Sequence, residues 1–216
     1  MNNKGSGFMI NLFGIDNKFF ETLEKISNIV ILNFLYILFS IPIITIGAST
    51  TATYFVAMKI VQNEEGYIFR TFIKSFKENF KISTIVWIMI MLVGGVLILD
   101  FHISNAISNS SISNIFKLIL TMVSIIIIFN ITYVFPIICK FDNSIKNTII
   151  NATLISIQNL PYTIIMSLLN LIPIISILFF SNYLGYIAFF YIIIGYAVVS
   201  CINSFFLNNI LNKYIN

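Results

Sequence analysis

The residues that could do chemistry in this chain are few, and they stand apart. Asp100 and His102 form the one ionisable pair near an apolar stretch that invites a catalytic reading. Two positions apart on a helix, they point to different sides, and no third partner completes a site. Cys139 and Cys201 lie inside apolar runs without His, Asp or second-Cys neighbours. A metal site or catalytic thiol needs such neighbours, so both read as small buried hydrophobes. No Gly-rich phosphate loop, metal-ligand spacing or nucleophile elbow occurs. Asn33, Asn130 and Asn170 interrupt long apolar runs. They read as a solute path or as hydrogen-bonding glue between helices, the commoner use. The expectation is a protein that is not an enzyme and uses no cofactor or metal.

Membrane helices must position these residues. Of 216 residues, 58% are hydrophobic and 9% charged, against about a quarter charged in soluble domains. Residues 147–212 carry no charge at all. That surface excludes a soluble enzyme, a disordered tail and a nucleic-acid-binding module. The fold class expected is all-α: a polytopic helical membrane protein, one membrane domain over 1–216, with about six membrane helices. The first 25 residues hold no apolar leader core, so the first span should remain as an uncleaved anchor.

The charge-free runs 26–58, 82–99, 118–139 and 147–212 set the spans. Those expected are 24–41, 43–61, 82–101, 115–139, 161–180 and 184–206. Segment 26–58 is long for one helix and is interrupted by Ile41-Pro42-Ile43 and Gly47. It is either one kinked span or a hairpin of two short ones. In the hairpin arrangement 1–25, 59–81, 140–160 and the C-terminal tail share one side with 3, 5, 2 and 1 basic residues, leaving only Lys117 opposite. The positive-inside rule then favours the hairpin, with both termini cytoplasmic. The segment 103–114 reads as a small, polar, uncharged outer loop, and Gly94-Gly95, Pro136 and Pro173 as bends within spans. Helix 43–61 is rich in small residues, which lets neighbouring backbones approach closely.

Residues 67–81 read YIFRTFIKSFKENFK. Phe69, Phe72, Ile73, Phe76 and Phe80 recur on one helical face, and Arg70, Lys74, Lys77 and Lys81 on another. The pattern predicts an interfacial helix with its rings in the acyl region and its basic face among anionic lipid headgroups. Such a helix serves as an anchoring belt or as a docking surface for a cytoplasmic partner. A weak echo links Glu78-Asn79-Phe80-Lys81-Ile82-Ser83 to Gln158-Asn159-Leu160-Pro161-Tyr162-Thr163, eighty residues on. Each follows a span ending in a lysine, Lys59 or Lys140, which suggests a tandem duplication.

The N-terminal half resembles the YesL-like family of bacterial integral membrane proteins, a domain of unknown function. The resemblance is carried by Asn33 in ILNFLYILF, by IPIITIGAS with Pro42, Thr45 and Gly47, by Glu65-Gly66, and by the Phe72, Phe76, Asn79, Phe80 pattern. Heavy use of Ile, Asn and Lys also fits an A+T-rich bacterial genome. This chain uses Lys where Arg is often seen in the basic helix, which matters little for headgroup contact but weakens a bidentate role. The resemblance implies the bacterial cytoplasmic membrane and an accessory or assembly role beside carbohydrate uptake, with subunits of ABC-type sugar transporters as partners. The alternative is a small permease or channel-type subunit for a neutral solute. Against an ABC permease itself, Ile157-Gln158-Asn159-Leu160-Pro161 is one residue too long for the expected coupling turn, and its upstream element is missing.

Overall fold

The computed structural model describes residues 6–64, 66–107 and 109–214, with side chains described from Phe20 onward except at Ser181. These residues are helical almost throughout: α1 (Ser6–Ser40), α2 (Ile46–Val61), α3 (Ile68–Ala106), α4 (Ser110–Lys140), α5 (Ile145–Gln158), α6 (Leu160–Phe179), α7 (Leu184–Phe190) and α8 (Tyr196–Leu211). A π-helical turn, Tyr191–Gly195, joins α7 to α8. Six helical stretches are long and apolar enough to cross a membrane: Phe20–Ser40, Ile43–Val61, Ile68–Ala106, Ser110–Lys140, Leu160–Phe179 and Leu184–Tyr214.

Segment 26–58 is a hairpin. Pro42 has no N–H to continue α1 and pushes Ile41 out of the helical region, and the chain turns there. The Thr45 hydroxyl lies 2.6 Å from the Phe39 carbonyl and 2.7 Å from that of Pro42. It thereby satisfies acceptors that the end of α1 leaves open.

The expected separation of an interfacial helix 67–81 from a span 82–101 is absent. Both belong to α3, which is unbroken over 39 residues. At 1.5 Å per residue α3 is about 58 Å long, close to twice the roughly 30 Å hydrocarbon core. No Pro or Gly occurs between Tyr67 and Val93, so nothing in the backbone stops the helix where its surface changes character. Nor do the rings face lipid as a set. Phe72 is fully buried and Phe76 half-buried, with centroids 5.5 and 5.0 Å from that of Phe39 in α1; only Phe69 and Phe80 are exposed.

The outer loop expected over 103–114 contracts to the few residues between Ala106 and Ser110. Its polar residues close helix ends instead. Asn109 Oδ1 accepts from the amides of Ser111 and Ile112, and the Ser113 hydroxyl donates to the Ser104 carbonyl at 2.7 Å. Gly94-Gly95, Pro136 and Pro173 sit inside α3, α4 and α6 without ending them.

The helix at the centre is α2. It is 67% buried, against 11–28% for the other five spans. Its small side chains make this possible: a Cβ on Gly47 would stand 2.5 Å from the Ser83 carbonyl oxygen and 2.6 Å from Trp87 Cβ. On one side Ala52, Val56, Ala57 and Ile60 pack with Leu32 and Leu35 of α1, Ile68 and Phe72 of α3 and Ala197 of α8. On the other, Tyr54 and Met58 join Tyr133, Val134 and Ile137 of α4 and Leu207 of α8.

The echo has a structural counterpart. Asn79 and Asn159 each donate from Nδ2 to the carbonyl four residues earlier, Ser75 and Ile155, both at 3.0 Å. Ser83 meets Thr51 of α2 at 2.8 Å, and Thr163 meets the Tyr133 hydroxyl of α4 at 2.9 Å. The second copy differs in being broken: α5 ends at Gln158 and α6 starts with Pro161 in its first turn, the position where a missing N–H costs nothing.

Candidate functional site

Asn33, Pro42, Thr45, Gly47, Phe72 and Phe76 converge on the junction of α1, α2, α3 and the π-helical turn. Asn33, fully buried, donates from Nδ2 to the carbonyls of Tyr191 and Ile192 at 3.1 and 2.8 Å, and its Oδ1 accepts from the Ala197 amide at 3.0 Å. A π-helical turn shifts the hydrogen-bond ladder by one residue, and one Asn supplies both the donor and the acceptor needed beside it. Pro42 and Thr45 make the hairpin turn, Gly47 seats α2 on α3, and Phe72, Phe76 and Phe80 run as an aromatic row behind them, with neighbouring centroids 6.2 and 5.4 Å apart. Asn79 is tied to its own helix. Gly66 has open space about it and borders a surface depression of 460 Å³ with Glu24, Asn28 and Phe69. Glu65 lies outside the described residues.

The basic face is real as a surface. Arg70, Lys74, Lys77 and Lys81 are all exposed along α3. Arg70 sits over the Tyr67 ring at 5.3 Å, and Lys74 pairs loosely with Glu78 at 4.0 Å. An exposed pair of that length contributes little, so the row presents its charge outward.

Asn130 and Asn170 are tied into the bundle as well. Asn130 donates to the Ile149 carbonyl at 2.9 Å and the Thr153 hydroxyl at 2.8 Å in α5. Asn170 Oδ1 accepts from Asn203 of α8 at 2.8 Å, and the same Asn203 amide reaches the Tyr54 hydroxyl at 3.2 Å. Asp100 and His102 stay on the last turns of α3, and no group of three or more His, Cys, Asp and Glu among the described residues could hold a metal. Cys139 and Cys201 are free thiols.

Behind the junction lies a feature that the spacing of polar residues did not announce. A cavity of 210 Å³ is lined by Tyr36, Thr50, Tyr54, Trp87, Phe135, Asn170, Tyr191 and Tyr196, with aliphatic side chains between them. Its aromatic walls are fixed: Tyr36 and Tyr196 stack with centroids 3.7 Å apart, the Tyr196 hydroxyl reaches Thr50 Oγ1 at 3.3 Å, and Trp87 Nε1 donates to the Ile43 carbonyl at 2.8 Å. The lining residues come from seven separate elements, so no local motif could mark them. Their sequence signal was tyrosine inside otherwise aliphatic spans.

Among the described residues, six long apolar helices, with α2 the most buried of them, define a multi-pass helical membrane protein. Within that class the chain is similar to the YesL-like proteins. Residues 29–101 match the family described as "Protein of unknown function, DUF624", the stretch that builds the end of α1, the hairpin, α2 and most of α3. The chain is also 25% identical over 163 residues to "Uncharacterized protein YesL" of Bacillus subtilis (strain 168), covering 74% of this chain and 76% of that one. No solved structure matches.

Proposed function

We propose that this protein is a non-enzymatic accessory or assembly factor of the bacterial cytoplasmic membrane, serving carbohydrate uptake with both termini cytoplasmic. The observation behind the reading is the form of α3. Its charge-free stretch, 82–99, is about 27 Å long and suits one bilayer crossing. The same rigid helix carries Arg70, Lys74, Lys77 and Lys81 as an exposed cationic row, backed by the α1 hairpin. Lipid headgroups satisfy part of such a row; a stiff helix also offers it to a protein partner. The scarcity of ionisable groups inside the spans speaks against a catalytic role.

The test is photo-crosslinking in native membranes from a probe placed at Lys74 or Lys77. Capture of an ABC-type sugar permease or ATPase supports the reading, and with the probe at Lys74, Lys77→Glu with Lys81→Glu should abolish the adduct. Reproducible capture of lipid alone would sink it. The uncharged cavity favours a second reading, a small permease subunit for a neutral solute. Flux in proteoliposomes containing only this chain decides that one.

A further inference from the structure

We propose that the cavity between α1, α2, α3, α4, α6 and α8 is a binding site for a neutral, multiply hydroxylated small molecule or headgroup, held by Tyr36, Tyr54, Trp87, Asn170 and Tyr196. The inference stands apart from the docking role of α3, because a ligand can be held here whether the chain carries it, senses it or is stiffened by it.

The lining restricts the occupant from three directions. No Asp, Glu, Lys, Arg or His is among the lining residues, so a charged ligand would lose its water and meet no counter-charge. A wholly aliphatic occupant would leave Thr50, Tyr54 and Asn170 facing hydrocarbon; each has hydrogen-bonding capacity beyond its protein contacts. Aromatic side chains share the rest of the wall with Ile46, Ile131, Pro173 and Val199, and such rings combine an apolar face with a polar edge. That combination suits a molecule with C–H faces and O–H rims. The volume of 210 Å³ is below the roughly 300 Å³ where pockets for drug-sized ligands begin. It equals the space of about seven waters at about 30 Å³ each, which selects something of the order of one sugar ring.

The polar part of the wall is held from behind. Asn203 is fully buried and reaches both the Tyr54 hydroxyl and Asn170 Oδ1 through Nδ2, at 3.2 and 2.8 Å. It thereby fixes the orientation of two polar groups that a guest in the cavity would meet.

The one tryptophan of the chain, Trp87, is in the cavity wall and reports on it directly. The intact chain is reconstituted in nanodiscs of phosphatidylethanolamine and phosphatidylglycerol, and Trp87 emission is followed. One arm titrates free neutral probes: glycerol, inositol, glucose and maltose. A second arm places monoglucosyl-diacylglycerol in the disc, and a third titrates glucose 6-phosphate. A saturable change in the first arm assigns the site to a soluble polyol or sugar, and in the second to a glycolipid headgroup. Either supports the proposal, provided that the phosphate ester binds at least tenfold more weakly. Asn170→Leu and Tyr54→Phe should each weaken the neutral probe about tenfold. Tyr54→Phe removes one oxygen and keeps the ring, so it stays informative if the Asn170 variant is unstable. Absence of a saturable response to every neutral probe would overturn the proposal. So would equal response to the phosphate ester, or wild-type binding by folded variants.

Discussion

From Gly47 to Ile60, α2 buries twelve residues, most of them small or hydroxylated. Beyond Val86, α3 buries only Ser104, and over the first two-thirds of α4 only Ser113 and Leu120 are buried. The hydropathies run the opposite way: 1.3 for the α2 span and 2.6 for the α3 span. In water the more apolar helix would be the one inside. In a bilayer a Leu gains little by leaving lipid for protein, and helix association rests on close backbone approach and interhelical hydrogen bonds. The centre of this molecule is therefore marked by Gly, Ala, Ser and Thr, and its lipid-facing arm by Ile, Leu and Met.

Substitutions at the two regions should separate accordingly. Gly47→Val has the largest effect, because its side chain must enter space held by the Ser83 carbonyl and Trp87. Overpacking against backbone should cost more than about 3 kcal/mol, read as loss of a monodisperse species and of a thermal transition in detergent; a wild-type melting curve would break the contrast. Asn33→Leu comes next, at about 2 kcal/mol, since it strips the π-helical turn of three hydrogen bonds. Hydrogen exchange at the Ala197 amide should accelerate in that variant, and an unchanged rate would mean that the turn holds itself. Thr163→Val removes two interhelical hydroxyl contacts, to Tyr133 of α4 and the Ser156 carbonyl of α5, and should cost about 1–2 kcal/mol. Thr51→Val removes one, to Ser83 of α3, at about 0.5–1 kcal/mol; equal costs at the two positions would show that the Ser156 contact adds nothing. Leu99→Ala on the exposed arm should stay within about 0.5 kcal/mol. A cost above about 1.5 kcal/mol in native membranes would show that a partner covers the arm, which sharpens the comparison.

Sequence reasoning reached the hairpin and the six crossings because Pro42 and the placement of charge act locally. It placed Asn33, Asn130 and Asn170 among interhelical bonds as one of two readings, and each does bond to another helix. It separated 67–81 from the following span because the surface pattern changes at Lys81. A helix, however, ends through backbone chemistry, and Ile82-Ser83-Thr84 offers no reason to stop. The polar run 103–114 misled for a related cause: Ser and Asn suit helix caps as well as loops. The π-helical turn and the tyrosine cavity were beyond reach, because Tyr36, Tyr54 and Tyr196 come together only through partners about 140 residues or more apart, such as Tyr196 with Thr50 and Asn203 with Tyr54.

The enclosure of α2 bears on how the chain is built into the membrane. A segment holding Ser49, Thr50, Thr51 and Thr53 is a poor candidate for entering lipid alone, and its pairing with α1 lets the two partition together as a helical hairpin. The last of its neighbours arrives much later in synthesis: Asn208 of α8 donates to the Met58 carbonyl across 150 residues of sequence. Until α8 is in place, Thr50 lacks the Tyr196 hydroxyl and the Met58 carbonyl lacks the Asn208 amide. The nascent protein therefore passes through a stage in which α2 is held by its neighbours in sequence alone, and a truncation before α8 should leave a product that membrane quality control removes.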